Sequence, residues 1–264
     1  MITVLTYCCV GAVVGILAGL LGVGGGSVIV PILVYTMSHQ GVSSELVMHL
    51  ALGTSLACII FSSISSLKAH HARGAVHWQI VKRITIGIVV GTLLGSSYAS
   101  ILSTKTLTII FALFLWIVSA QLVLNRKPAR SRDLPGHPGM FGAGSVIGFI
   151  SSLVGIGGGS LSVPFLVWCN LSIHHAIGTS AAFGLPIAVA GTVGYIFNGW
   201  GVAGLPDLSV GFVYLPALLG IAMISVVTAP IGVRMAHGLP VDKLKKIFAI
   251  LLIVVGAKML FDIR

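Results

Sequence analysis

The sequence predicts an all-α polytopic membrane protein built from two related halves. Hydrophobic residues make up 56% of the 264 positions and charged residues only 8%, and the mean hydropathy is +1.10. A water-soluble domain of this composition would lack the polar residues needed to cover its surface. Long apolar runs without the alternation of a transmembrane β-barrel favour helices, and an internal repeat indicates the two halves.

Most of the apolar runs are close to the roughly 20 residues that cross a bilayer core. They fall at 2–21, 46–66, 84–101, 107–124, 139–154, 176–197, 210–230 and 247–261. We expect the first run to remain in the mature protein, because it has neither the basic start nor the cleavage site of a signal peptide. The four cysteines have apolar neighbours and lack metal-ligand spacing, so the sequence predicts no metal and no cofactor.

The repeat is clearest in two glycine motifs and two hydroxyl motifs. GVGGGSVIVP at 22–31 returns as GIGGGSLSVP at 155–164, and HLALGTS at 49–55 returns as HHAIGTS at 174–180. We therefore predict one transmembrane domain over 1–264, with repeat 1 at 1–125, a cytoplasmic linker at 126–138 and repeat 2 at 139–264.

Basic residues predict how the halves cross the membrane. Twelve of the fifteen Lys and Arg residues fall in three groups, within 68–83, 126–132 and 234–246. Basic loops stay in the cytoplasm, so the joints at 38–45, 102–106 and 198–209 should lie outside. The joint after the first glycine motif is then outside and the joint after the second is inside. The predicted fold class is therefore two inverted-topology repeats, each a Gly-broken helical hairpin plus three transmembrane helices. We expect the protein in the cell (inner) membrane, with both termini on the outer side.

The glycine motifs predict tight reversals within the membrane. Glycine accepts a positive φ and allows close backbone approach. Ser27 and Ser160 should then be the N-caps of short helices, with Pro31 and Pro164 early in them. Two helix N-termini would face the membrane interior from opposite sides, and a helix N-terminus attracts anions. Close helix packing is the simpler explanation of glycine runs. A re-entrant hairpin is favoured in repeat 2, while in repeat 1 a full span with a short return remains open.

The second pair of motifs supplies neutral hydroxyl groups. Thr54 and Ser55 recur as Thr179 and Ser180, each pair early in a long span. Such hydroxyls either bond to their own helix or donate to a ligand. Three nearby histidines are either interfacial or carriers of a coupling proton; they are His49, His174 and His175.

Missing groups exclude several functions. All five acidic residues lie in joints or near helix ends, whereas a carboxylate proton relay or sodium site needs one deep in a span. No nucleophile motif, P-loop or dinucleotide motif is present, so we do not expect an enzyme. The net charge of +10 fits cytoplasmic loops against anionic lipid rather than nucleic acid.

The doubled glycine and GTS motifs and the two-half layout together resemble the sulfite exporter TauE/SafE family over almost the whole chain. The resemblance implies an exporter or permease for sulfite, sulfoacetate, other organosulfonates or related sulfur anions. It does not determine the anion, the direction of transport or the oligomeric state.

We therefore expect a transporter whose partners are a small anion and the lipid bilayer. An anion channel, a proton-coupled permease for another small anion, and a membrane subunit whose partner performs the chemistry are the alternatives. The expected substrate-binding residues are Gly24, Gly25, Gly26, Ser27, Thr54, Ser55, Gly157, Gly158, Gly159, Ser160, Thr179 and Ser180.

Overall fold

The computed structural model of the chain describes residues 2–21, 25–124, 133–238 and 241–262. These residues form ten helices and one β-hairpin with strands of two residues each. Five helices belong to the first half: α1 (Ile2–Leu21), α2 (Gly26–His39), α3 (Val47–Ala72), α4 (Trp78–Ile101) and α5 (Thr104–Leu124). The second half has α6 (His137–Val154), α7 (Gly159–Trp168), α8 (Ile173–Asn198), β1 (Ser209–Val210), β2 (Val213–Tyr214), α9 (Leu215–Gly238) and α10 (Val241–Phe261).

The prediction of an all-α polytopic membrane protein is confirmed. Among the described residues, α3, α4, α5, α6 and α8 are each long and apolar enough to cross a bilayer. Helices α2 and α7 are shorter, with 14 and 10 residues, and at about 1.5 Å per residue α7 reaches only about half-way across a bilayer core. Both short helices follow a glycine motif, as the sequence predicted.

Several boundaries differ from the apolar runs. Helix α3 extends past the predicted end to Ala72, and α4 begins at Trp78, so much of the predicted basic loop is helical and only 73–77 connect the two. The run predicted at 210–230 begins with the β-hairpin, in which Ser209 pairs with Tyr214 and Val210 with Val213. Gly211 turns this hairpin with a φ of +54°, a conformation that favours glycine. Helix α9 therefore starts five residues late.

The two halves exchange helices. Helix α1 of the first half packs along α9 of the second, and α6 of the second packs along α4 of the first. Further contacts occur as equivalent pairs, because α2 packs on α3 as α7 packs on α8, and the two central helices α3 and α8 pack together. Neither half forms a body of its own, since each contains a helix whose main neighbour belongs to the other half.

Small residues allow the exchanged helices to approach closely. A Cβ atom at Gly91 on α4 would overlap the carbonyl oxygen of Ser145 on α6, and one at Gly95 would come within 2.6 Å of the Phe149 carbonyl oxygen. In the equivalent pair, a Cβ at Gly11 on α1 would lie 2.9 Å from the Ile221 carbonyl oxygen on α9. Close packing through small residues is typical of membrane helices, where the lipid removes most of the hydrophobic driving force for association.

Candidate functional site

The two glycine motifs place a helix start in each half, but the capping residue differs from the prediction. Helix α2 begins at Gly26 with Gly25 as its N-cap, and α7 begins at Gly159 with Gly158 as its N-cap. Both caps have a positive φ, +64° and +75°. The prediction that the serines are the N-caps is wrong, because only glycine takes this backbone conformation without strain. Ser27 and Ser160 are instead the second residues of their helices.

At each helix start, the first backbone N–H groups make no hydrogen bond within the helix. The Gly25 carbonyl accepts from Val28 and Ile29, and the Gly158 carbonyl accepts in the same way from the third and fourth residues of α7. The N–H groups of the first two residues of each helix therefore lie ahead of the helical hydrogen-bond ladder, where partial positive charge collects. Each proline is the sixth residue of its helix, beyond the first turn. It cannot donate to the carbonyl of the serine four residues earlier.

The two glycine motifs meet inside the protein. A Cβ atom at Gly26 would lie 2.5 Å from the carbonyl oxygen of Gly155 and 2.9 Å from Cα of Ile156. Ser55 on α3 donates a hydrogen bond of 2.8 Å to the same Gly155 carbonyl. The start of α2 is thus packed directly on the end of α6 and on the loop that leads to α7. Gly24 lies outside the described residues.

Ser27 has a buried hydroxyl group without a protein partner. Its side chain is only 4% exposed, and Oγ makes no hydrogen bond to the described protein. Buried hydroxyl groups are normally paired, because leaving one unpaired costs free energy. Ser160 is half-buried at the equivalent place in α7. The two serines hold equivalent positions at the two helix starts, and only the Ser27 hydroxyl group is both buried and without a partner among the described residues.

Ser180 takes part in a hydroxyl pair that the sequence analysis missed. Its Oγ lies 2.6 Å from Oγ of Ser162 on α7, and Ser162 donates a bond of 2.8 Å to the Gly158 carbonyl. Because Ser162 has one hydroxyl proton, Ser180 is then the donor to Ser162. A Cβ atom at Gly159 would lie 3.9 Å from the Ser180 hydroxyl. Ser162 has no counterpart in the first half, where Ile29 stands at the equivalent position, so comparison of the repeats could not reveal it.

We call Gly25, which precedes α2, and residues 155–158, which connect α6 to α7, the glycine loops. Thr54 and Thr179 bind backbone groups outside these loops. Thr54 Oγ1 accepts a bond of 3.0 Å from the N–H of Tyr214, at the entrance to α9. Thr179 Oγ1 accepts a bond of 3.1 Å from the N–H of His77, at the entrance to α4. Both threonines are fully buried. Since Tyr214 and His77 occupy equivalent positions in the two halves, we call these two contacts the clamps.

A glycine before each threonine makes its clamp possible. A Cβ at Gly53 would overlap the Phe212 carbonyl oxygen, and a Cβ at Gly178 would lie 2.6 Å from the Ala75 carbonyl oxygen. The glycine allows the connecting backbone to approach, and the threonine satisfies one of its N–H groups. Each GTS motif therefore forms a joint between the halves. Ser55, the serine of the first motif, also binds the Gly155 carbonyl in the second glycine loop.

The described interior contains no buried carboxylate, lysine or arginine. Glu45, Asp133, Asp207 and Asp262 are exposed. Of the three predicted histidines only His49 is buried, and its Nε2 lies 3.1 Å from the Ala99 carbonyl oxygen while its ring lies against Phe212. His174 is exposed, and the His175 ring lies 4.5 Å from the ring of His77 beside a clamp. In the described structure no hydrogen bond or ring contact joins any of the three histidines to Gly25 or to residues 155–158.

A cavity of about 1040 Å³ opens beside α2, between α3, α5 and α10. Its wall includes Pro31 and His49, and Lys105 and Lys258 line it as well. Pro31 is one helical turn from Ser27. The cavity therefore reaches Pro31, the last residue of the first glycine motif, whereas Gly25, Gly26 and Ser27 do not line it.

The clamps predict a specific loss of stability. Thr54→Val removes the acceptor of the Tyr214 N–H at almost constant volume, and it should cost about 1 to 3 kcal/mol, typical of an unpaired buried donor. Thr179→Val should cost less, because His77 is more exposed than Tyr214. Thr192→Val is the matched control, since this threonine bonds only within its own helix, to the Ala188 carbonyl. Thermal unfolding in detergent measures all three, and equal melting temperatures for the three variants would contradict the clamps.

Comparison with known proteins identifies the family. Residues 7–259 match the family model described as sulfite exporter TauE/SafE. A probable membrane transporter protein from Haemophilus influenzae is 39% identical over 95% of this chain and 95% of its own length. Similar proteins include probable membrane transporters from Methanocaldococcus jannaschii, 27% identical over 95% of this chain and 93% of its own length, and Bacillus subtilis (YunE), 25% identical over 96% and 95%. No solved structure matches the chain. The chain belongs to the TauE/SafE sulfite exporter family and is a multi-pass membrane transporter.

Proposed function

We propose that this protein exports a small sulfur-containing anion, such as sulfite, sulfoacetate or another organosulfonate, by alternating access of two inverted repeats. The observation that carries the proposal is the meeting of the two glycine motifs, each at a helix N-terminus, beside the buried and unpaired hydroxyl group of Ser27. Family membership supports sulfite or a related anion as the substrate class.

The anion would be held by neutral donors alone. Backbone N–H groups at Gly25, Gly26, Gly158 and Gly159, with the hydroxyl groups of Ser27 and Ser160, are the proposed ligands. Helix N-termini favour negative charge through their N–H groups and dipole. A buried lysine or arginine would bind an anion more tightly, and none is buried in the described structure. Neutral donors therefore suit a transporter, whose substrate must leave after it binds.

The remaining predicted residues shape this site in the proposal. Ser55 holds the Gly155 carbonyl and Ser180 holds Ser162, so both serines shape the second glycine loop. Thr54 and Thr179 act through the clamps, and Gly157 completes the second loop. The four hydroxyl residues of the two GTS motifs thus position the loops or the connections between the halves.

Alternating access is supported by the exchange of helices and by the clamps. One clamp joins the start of α3 to the residue before α9, and the other joins the start of α8 to the residue before α4. Each clamp therefore connects the two halves. If the halves are inverted, as the basic loops predict, the clamps lie toward opposite sides of the membrane. Opening one clamp while the other stays closed would expose the glycine loops to one side at a time.

Export needs no further energy source in this proposal. Moving an anion out of a cell that is negative inside is favourable by about 2.3 kcal/mol per charge per 100 mV. The exposed carboxylates leave the described interior without a carboxylate proton relay. A uniporter driven by the membrane potential is therefore the mechanism that the charges support.

Replacing the two serines should weaken transport without weakening the fold. Ser27→Ala and Ser160→Ala should each reduce apparent sulfite affinity about 10- to 100-fold, the effect of losing one hydrogen bond to a charged group, and the double variant should be weaker than either. Sulfite flux into reconstituted vesicles measures this. Ser27→Ala should not lower the melting temperature, because its hydroxyl group has no protein partner. Wild-type flux in all three variants would show that the site is elsewhere.

The orientation can be tested by cysteine labelling. In a variant without the four native cysteines, an impermeant thiol reagent added outside intact cells should label Thr106→Cys and Asp207→Cys but not Arg73→Cys. All three positions are exposed in the structure, so lack of reaction at residue 73 would report its side of the membrane. Labelling of residue 73 alone from outside would reverse the proposed orientation.

The energy source can be tested by separating the membrane potential from the proton gradient. In vesicles with a clamped potential, outward flux should follow the potential, saturate with substrate and show counterflow, whereas a channel would not saturate at carrier rates. Flux should survive His49→Gln, His174→Gln and His175→Gln individually. Flux that follows only the pH gradient and is lost with one of these histidines would replace uniport by proton coupling.

A further inference from the structure

Ser151 is a second buried hydroxyl group at the glycine loops, and the repeat did not reveal it. It lies in the last turn of α6, is 0% exposed, and its Oγ makes no hydrogen bond to the described protein. Its Oγ lies 3.4 Å from the position that a Cβ would take at Gly158, the N-cap of α7. The hydroxyl group therefore faces the start of α7.

The other serines of α6 show that this arrangement is not a general property of the helix. Ser145 donates to the Phe141 carbonyl at 3.0 Å, and Ser152 donates to the Phe149 carbonyl at 2.9 Å. A serine within a helix normally makes such a bond to the preceding turn. Ser151 leaves this bond unmade while it is fully buried, which costs free energy unless another partner binds there.

Hydroxyl groups are also concentrated on one of the two glycine loops. The residues equivalent to Ser151 and Ser162 in the first half are Ala18 and Ile29, at the same offset from the glycine motif. Ser162 and Ser180 pair beside Gly158 and Gly159. Ser27, in the first turn of α2, follows Gly26, which packs on Gly155 at the start of the second loop. The site is therefore asymmetric, although the helices around it are paired.

Apolar side chains limit the space at the second loop. The Ile187 side chain lies 2.5 Å and the Ile147 side chain 3.6 Å from a Cβ at Gly158, and the Ile59 side chain lies 3.2 Å from a Cβ at Gly157. A ligand bound between the loop and these side chains must be small. The free polar groups beside it, the Ser27 and Ser151 hydroxyl groups and the N–H groups at the start of α7, can donate hydrogen bonds, which suits an oxyanion better than a cation.

We propose that Ser151 is a ligand of the transported oxyanion and that the second glycine loop is the principal binding half of the site, closed by Ser27 from the first half. This inference deepens the proposed function and rests on it. Ser151 donates its hydroxyl proton to an oxygen of the anion, beside the N–H groups at the start of α7. The anion is thus bound closer to one half than to the other.

The test compares stability and binding in the same full-length protein. Ser151→Ala removes a hydroxyl group that has no protein partner, so the melting temperature without ligand should stay equal or rise. Its dissociation constant for sulfite should increase about 10- to 100-fold, measured in detergent by the shift in melting temperature across a sulfite titration under anaerobic conditions. Sulfoacetate is the second probe, and chloride at the same ionic strength is the control for general charge effects.

Two control variants isolate the position of the hydroxyl group. Ser152→Ala changes the neighbouring buried serine, whose hydroxyl group is already bonded. Thr92→Val removes another buried hydroxyl group without a partner, which lies against Gly148 at the contact of α4 with α6. Both variants should bind sulfite like wild type.

The outcomes separate this inference from the proposed function. Weaker binding in Ser27→Ala and Ser160→Ala with wild-type binding in Ser151→Ala would overturn the role of Ser151 and leave the proposed site standing. A lower melting temperature in Ser151→Ala without ligand would show a structural role and would also overturn it. If wild-type protein binds neither sulfite nor sulfoacetate, the proposed substrate class fails and the assignment of Ser151 fails with it.

Discussion

The contact of Gly26 with the carbonyl group of Gly155 is the constraint on which the centre of the molecule depends. No side chain fits at residue 26, because the carbonyl oxygen and the Ile156 backbone occupy the space that a Cβ would need. The start of α2 is therefore fixed against the end of α6, and Ser55 fixes the same carbonyl from α3. Any larger residue at position 26 would push the start of α2 away from the end of α6.

The clamps extend the same principle to the edges of the site. At both GTS motifs a glycine admits a backbone and the next residue accepts one of its N–H groups. A backbone donor that is shielded from water requires a partner, and the threonine provides one that can be released without breaking a helix. In the proposed alternating access, these two equivalent joints between packed helix pairs are the parts that open and close.

The chemistry of the centre is set by what the membrane permits. Charged side chains are costly in the apolar interior, and the described structure keeps its carboxylates and lysines exposed or outside the core. Hydroxyl groups and helix N-termini can attract an anion without that cost, since they carry no net charge. The unpaired hydroxyl groups of Ser27 and Ser151 lie beside helix starts, whereas the unpaired hydroxyl group of Thr92 lies at an ordinary contact between α4 and α6.

The sequence by itself determined the membrane class and the helical fold, and it predicted the two halves and the starts of the two short helices. These follow from composition, from apolar runs and from duplicated residues such as Gly158 and Ser160, all of which are local or periodic signals. Only the tertiary structure decided that glycine rather than serine caps the short helices, and that Thr54 bonds to Tyr214, 160 positions away. It alone placed Ser151 at the second loop. Long-range contacts and unduplicated residues leave no pattern in one sequence, because the partner of a hydroxyl group is chosen by the packing of the whole chain.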